Sequence, residues 1–175
     1  MPEGALRVGI LTVSDRASRG EYPDLSGPAV SATLTELLVS AWVSLALSVP
    51  DDRADIEQAL RHLVDEAHCD LVLTTGGTGP APRDVTPEAT VAVCDRLLPG
   101  VGEAMRAASL ERIPTAMLSR QTAGHRGGCM IVNLPGKPSA VAECLALVMP
   151  AIVHGVALLG GPRVELSDPL ADPHG

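Results

Sequence analysis

Short apolar runs alternate with amphipathic stretches along most of this chain. Residues 8–13, 43–49, 71–75 and 130–134 are rich in Val, Leu and Ile and have the length of strands. Each is followed by a stretch with helical spacing, at 28–38, 55–67, 87–97 and 138–159. In the second of these, Ile56, Ala59, Leu60, Leu63, Val64 and Ala67 share a face that Glu57, Arg61, Asp65 and Glu66 avoid, so one side packs on a sheet. The alternation predicts an α/β sandwich with a mostly parallel central sheet. Residues 100–110 read as a further short helix, 116–118 as a short strand and 124–128 as a glycine-rich turn. Residues 141–156 place Leu, Val and Met at helical spacing, as core or subunit interface. The stretch 41–49 is more apolar than a strand exposed on one face, which fits cover by a neighbouring subunit. There is no internal repeat or linker: residues 1–161 read as one domain, and the Pro- and acid-containing 162–175 as a loose tail. The first few residues read as frayed.

Composition narrows the function. Tyr22 and Trp42 are the sole aromatics, so the core is aliphatic and there is no platform on which bases could stack. A net charge of −8 argues against nucleic acid as a partner and confines any phosphate binding to a local site. Cys69, Cys94, Cys129 and Cys144 are isolated from one another in sequence and read as reduced packing residues. His62, His68, His125, His154 and His174 show no metal-ligand spacing. The N-terminus lacks the pattern of a signal peptide, and no uninterrupted apolar stretch reaches about 18 residues. The expectation is a soluble, cytoplasmic protein with no membrane partner.

The candidate chemistry centres on Thr74 to Glu88, TTGGTGPAPRDVTPE. Gly76, Gly77 and Gly79 follow the third strand and allow the backbone to present N–H groups to an anion, with Thr78 among them. Arg83 can add a charge-assisted bond, Thr86 has the chemistry of an N-cap and Pro87 suits the start of a helix. Asp84 is the unexpected member, because a carboxylate beside a phosphate needs a metal, a proton or a second polar substrate between them. Taken alone, GGTG also fits an ordinary strand-exit turn. Neither GxxxxGK[ST] nor a helix-opening GxGxxG is present, and Lys137 is the sole lysine.

In an open parallel sheet, ligands lie at the carboxyl ends of the strands. Those ends gather Ser14, Asp15, Arg16, Asp24 and Ser26, then Asp51 and Asp52, then the glycine turn with Arg83 and Asp84, then Ser119 and Arg120, and finally Pro135, Gly136 and Lys137. Local readings compete at several of them. Asp51 or Asp52 could cap the next helix, Ser14-Asp15-Arg16 could close a surface turn, and Lys137 could be a solvated charge.

The ordered motifs LTVSDRASRGEYPDLSGP, VPDD, LVLTTGGTGPAPRDVTPE, AMLSRQTAG and IVNLPGKPSAVAEC resemble the MogA/MoaB family of molybdenum cofactor biosynthesis, which includes the G domains of gephyrin-like proteins. The resemblance runs from Leu6 to about Leu159. It implies a three-layer α/β/α fold of the molybdopterin-binding type, a homotrimer, and Mg²⁺- and ATP-dependent adenylylation of molybdopterin. It also implies passage of the product to a molybdate-inserting, MoeA-like protein. By the same resemblance, Asp51 and Asp84 are the catalytic aspartates that position Mg²⁺. Gly76, Gly77, Thr78, Gly79, Pro135 and Gly136 are then expected on the nucleotide, and Ser14, Asp15, Asp24, Ser26, Arg83, Ser119 and Arg120 on the pterin and phosphates. Two rival readings are a non-catalytic molybdopterin-binding scaffold and a nucleotide pyrophosphatase with a related domain.

Overall fold

The computed structural model describes residues 4–168. The apolar runs become β1 (Leu6–Val13), β2 (Trp42–Val49), β3 (Leu71–Thr75) and β6 (Cys129–Leu134), with β4 (Arg96–Leu97) and β5 (Ala123–Arg126) between the last two. The helices are α1 (Asp15–Ser18), α2 (Ser26–Leu37), α3 (Arg53–Arg61), α4 (Thr86–Val93), α5 (Pro99–Leu110) and α6 (Pro138–Leu158). The strands form one sheet in the order β2-β1-β3-β6-β5-β4. It is parallel from β2 to β6, and antiparallel across the β6–β5 and β5–β4 pairings.

The two-residue period of a strand builds the layers. Leu6, Val8 and Ile10 of β1, Leu71 and Leu73 of β3, and Met130, Val132 and Leu134 of β6 share one core with α2, α5 and α6. Leu11, Val13, Val72 and Ile131 point the other way, onto Ile56, Leu60 and Val93 of α3 and α4 and onto Leu63 of the π-helical turn His62–Glu66. Helices therefore cover both faces in a three-layer α/β/α sandwich. Strands buried on both sides must be apolar at consecutive positions, which is why they read as runs. Each large aliphatic side chain buried there contributes about 1.5–3 kcal/mol.

α6 is long and apolar enough to cross a membrane by composition, yet Val141, Leu145, Val148, Ile152 and Val156 are buried as a core stripe. The cysteines are free, and burial pushes the Cys69 and Cys94 thiols up to about 11, as inert packing residues require.

Several local expectations are corrected. Residues 116–118 lie in a 3-10 helix, Pro114–Leu118, where Met117 and Leu118 are exposed. The helix expected over 87–97 stops at Val93, because Cys94 is extended and Arg96–Leu97 pairs with β5. Residues 124–126 belong to β5, leaving Gly127 and Gly128 as a two-residue hairpin with Gly127 at φ +52°. Gly124 is instead a site of close approach, since a Cβ there would lie 2.5 Å from the Arg96 carbonyl oxygen. Thr86 is the first residue of α4 rather than its cap, and its buried hydroxyl donates to the Gly76 carbonyl at 3.0 Å. The reading of Asp52 as a cap, by contrast, holds: it accepts from the N–H groups of Ala54 and Asp55 at the start of α3.

The part of the C-terminal segment that is described is tied down. Leu166 bridges to Leu38, the Val39 N–H donates to the Glu165 carbonyl at 3.0 Å, and Ser167 N–H donates to the Leu37 carbonyl at 2.9 Å. Residues 169–175, and the N-terminal 1–3, lie outside the described residues.

Candidate active site

Parallel pairing of β2, β1, β3 and β6 brings the four loops that follow them to one rim. The loops after β1, β3 and β6 also lead into the N-termini of α2, α4 and α6, so the positive ends of three helices point to the same place. Most of the predicted residues converge there.

The glycine turn is fixed by its neighbours. Gly76 and Gly77 take φ +91° and +63°. A Cβ on Gly76 would lie 2.3 Å from the Val13 carbonyl oxygen, and one on Gly77 2.3 Å from Thr86 Oγ1. These contacts pack the exit of β3 against the exit of β1 and against the start of α4. Deeper in the fold, Asn133 of β6 donates to both Thr74 and Thr90, at 3.0 and 2.8 Å, and so holds α4 on the sheet.

Asp51, from the loop after β2, and Asp84, further along the turn's own loop, both approach this turn. A Cβ at Gly77 would be 3.4 Å from Asp51 Oδ1, and one at Gly79 would be 2.7 Å from Asp84 Oδ2. Asp51 and Asp15 are locked reciprocally: Asp15 N–H donates to Asp51 Oδ2 at 2.9 Å, and Asp51 N–H donates to Asp15 Oδ1 at 3.1 Å. Arg83 reaches across from the residue before Asp84 to both oxygens of Asp15, at 2.8 and 2.7 Å. That guanidinium holds the Asp15 carboxyl below its ordinary range, against a smaller opposing effect of burial. Asp84 Oδ2 accepts from Ala81 N–H at 3.0 Å. Among the described residues, protein hydrogen bonds reach only one oxygen of each catalytic candidate.

Arg120 faces inward to this loop. Its Nε donates to the Gly79 carbonyl at 2.8 Å, one terminal nitrogen to the Asp84 carbonyl and the other to Glu88. Its own N–H donates to the Thr78 carbonyl at 2.8 Å. Burial would raise the Glu88 carboxyl, but the bond from Arg120 holds it below its ordinary range.

The glycine turn separates two cavities. One, of about 300 Å³, is lined by Ser14, Tyr22, Asp24, Ser26, Gly76 and Gly136 among others. The other, of about 350 Å³, takes Thr78, Gly79, Ser119, Gln121 and Pro135, with Ile113, Leu118 and Ala140 supplying apolar wall. The expected nucleotide group and the expected pterin group are thus interleaved, each cavity holding members of both. A larger space of about 440 Å³ lies at the opposite end of the sheet, beside Asp65, Cys69, Asp70 and Arg126, and contains none of the predicted residues.

Asp24 has a structural role within the first cavity. It accepts from Thr12 Oγ1 at 2.7 Å and from the N–H groups of Ser26 and Gly27 at 3.0 Å each, so it caps α2. Burial would raise its pKa, but these bonds together hold it below the ordinary carboxylate range. A depressed carboxyl stabilises the fold above its unfolded value, and that contribution disappears as pH falls through the folded value. Asp24→Asn is therefore expected to flatten the acid limb of Tm against pH, below the ordinary carboxylate range. An unchanged acid limb in thermal melts would show that Asp24 contributes nothing to acid sensitivity.

Sequence reading missed Gln121, Thr12 and Thr75. Gln121 is 4% exposed and accepts from the Ser119 hydroxyl at 2.7 Å. Ser26 and Thr75 pair through their hydroxyls at 2.8 Å. The signal available for these was polarity at otherwise apolar positions near strand ends.

The fold and rim define an α/β domain of the kind that holds anionic ligands at the carboxyl edge of its sheet. Residues 9–154 match the family model described as "Probable molybdopterin binding domain", and the chain belongs to that family. It is 50% identical over 163 residues to the molybdopterin adenylyltransferase of Helicobacter pylori strain 26695, with 93% of each chain covered. It is 49% identical over 172 residues to the molybdopterin adenylyltransferase of Escherichia coli K12, covering 91% of this chain and 88% of that one. The crystal structure of MoaB, a molybdopterin biosynthesis enzyme of Thermus thermophilus, superposes with a TM-score of 0.82 at 44% identity, over 90% of this chain and 99% of that one.

Proposed function

We infer that this protein is a molybdopterin adenylyltransferase acting in molybdenum cofactor biosynthesis. ATP and molybdopterin are its substrates. The terminal phosphate of molybdopterin attacks the α-phosphorus of ATP, the bond to the β-phosphate oxygen breaks, and adenylyl-molybdopterin and pyrophosphate leave. The observation that carries this reading is the approach of Asp51, from the loop after β2, and Asp84, from the glycine turn's own loop, to that turn, whose residues also line two cavities.

Such a transfer depends on alignment and charge neutralisation more than on covalent chemistry by the protein. The glycine turn and the helix N-termini supply N–H donors and positive potential for the phosphates. Arg83, exposed and paired with Asp15, is placed to exchange that carboxylate for a phosphate. Asp51 and Asp84 fit Mg²⁺: both are hard oxygen donors with one oxygen held by backbone and the other unengaged. Among the described residues there is no larger group of His, Cys, Asp or Glu to form a closed metal cage, and Mg²⁺ usually completes its shell with water and substrate phosphates. Bound there, Mg²⁺ would neutralise charge on the transferring phosphates.

A homotrimer would cover the apolar surface left by Leu45 on β2 and by Met117, which are 40% and 65% exposed. The product, an activated adenylyl ester, would then pass to a molybdate-inserting, MoeA-like protein.

Pyrophosphate release from Mg²⁺-ATP, measured with and without molybdopterin while product mass is followed, tests the function. Release that depends on pterin and is matched by adenylyl-molybdopterin is the expected result. Tight pterin binding without release would make the protein a scaffold, and release without pterin would make it a pyrophosphatase.

A further inference from the structure

We propose that Arg120 is a positioning residue that sets the place of Asp84, and that it acts through the loop between Gly79 and Asp84 rather than on a substrate. The inference rests on the adenylyl-transfer reading above. Its geometric basis is that all three guanidinium nitrogens are engaged by protein acceptors. Nε takes the carbonyl at the start of the loop, Gly79, and one terminal nitrogen takes the carbonyl at its end, Asp84. The other terminal nitrogen takes the Glu88 carboxylate one helical turn further on, in α4. The backbone N–H of Arg120 adds a fourth tie, to Thr78. The loop is thereby clipped at both ends by one planar group.

Between those ends the one tie out of the loop, among the described residues, is the exposed ion pair of Arg83 with Asp15, at 2.8 and 2.7 Å. Ala81, Pro82 and Arg83 are exposed, and the internal bonds are Asp84 N–H to the Ala81 carbonyl at 2.9 Å and Ala81 N–H to Asp84 Oδ2 at 3.0 Å. Both ends must be fixed for that small turn to aim the carboxylate in one direction. Glu88 supports the same reading. One of its oxygens is buried without a hydrogen-bond partner among the described residues, an unfavourable arrangement if its purpose were only to stabilise a helix start. Its other oxygen orients Arg120. A lysine could not reproduce this clip, since an ammonium presents a point charge where the guanidinium offers a fixed fork.

The test is a double-mutant cycle of Arg120→Lys and Asp84→Asn, read by adenylyl transfer and by hydrogen exchange of residues 79–86. Arg120→Lys is expected to lower kcat roughly tenfold or more, as loss of a group that orients a ligating carboxylate does, while KM for ATP moves less than about threefold. In the Asp84→Asn background the same change should cost less than about twofold, because the carboxylate it positions is already gone. Amide exchange across 79–86 should rise in Arg120→Lys while the sheet core keeps its protection. Glu88→Gln should shift kcat and loop exchange in the same direction by a smaller factor, and serves if the first variant does not fold. Additive losses, or a rise in KM for ATP or molybdopterin with unchanged loop exchange, would overturn the proposal and return Arg120 to substrate contact. An inactive wild-type protein would instead count against the adenylyl-transfer reading. The exchange arm would then still decide whether Arg120 holds the loop.

Discussion

Asp84→Asn is expected to lower adenylyl transfer by on the order of 10²–10³-fold, the factor that several kcal/mol of lost charge stabilisation produces. The substitution is chosen because an amide oxygen can still accept from Ala81 N–H, so the turn that carries the side chain is kept. What it removes is the negative charge and the capacity of the free oxygen to hold a hard cation. Asp51→Asn should behave alike for the same reason, since its link to Asp15 N–H also survives. The Tm of both variants should stay close to that of the parent. Steady-state rates at saturating Mg²⁺-ATP and molybdopterin provide the check: turnover within a few-fold of the parent in both variants would remove these carboxylates from the chemistry.

Gly76→Ala should have the largest effect on the fold among changes at the rim. At φ +91° a residue with a side chain is strained by roughly 1–3 kcal/mol. The added Cβ would also sit 2.3 Å from the Val13 carbonyl oxygen, which is backbone and cannot rotate away. Relief requires the exits of β1 and β3 to separate, and with them Ser14 and the glycine turn. Tm should fall by on the order of 5–10 °C for a chain of this size, with activity lost even where the variant remains folded. Gly20→Ala is the matched control, because Gly20 has φ +68° but no atom of the described residues within 4 Å of the point a Cβ would occupy. Equal losses of Tm in the two variants would show that backbone strain alone matters and that the approach to Val13 does not.

The candidate site was legible in sequence to the extent that its residues adjoin strand ends. Asp51, Gly76 and Gly136 are found at the rim because the chain must turn there, and apolar runs of strand length mark where the turns come. The helix and strand at 86–97 show the limit. Thr86 has the composition of a cap, but its hydroxyl is taken by the Gly76 carbonyl, a partner ten residues earlier in sequence that only the folded turn brings near. Arg96–Leu97 continues a helical pattern yet is drawn into the sheet by pairing with β5, a preference that no local propensity encodes. Ser119 and Ser14 likewise look equivalent in sequence, as polar residues on the same rim, and lie in different cavities because the glycine turn rises between them.

By itself the sequence determined the layers and the rim. Apolar alternation at periods of two and 3.6 states which faces must be buried. Removing apolar surface from water is the main force driving folding, so the α/β/α arrangement and the polar strand ends follow from it. The partners of each polar group were decided only by tertiary structure. Whether Arg120 meets a phosphate or three protein acceptors, and whether Asp15 braces Asp51 or lines a surface turn, depends on groups far apart in the chain. Asp84 and Arg120 are separated by 36 residues, and so are Asp15 and Asp51. Hydrogen bonds act within about 3 Å and carry no trace in sequence spacing, so the electrostatic arrangement of the site exists only once the sheet has brought its loops together.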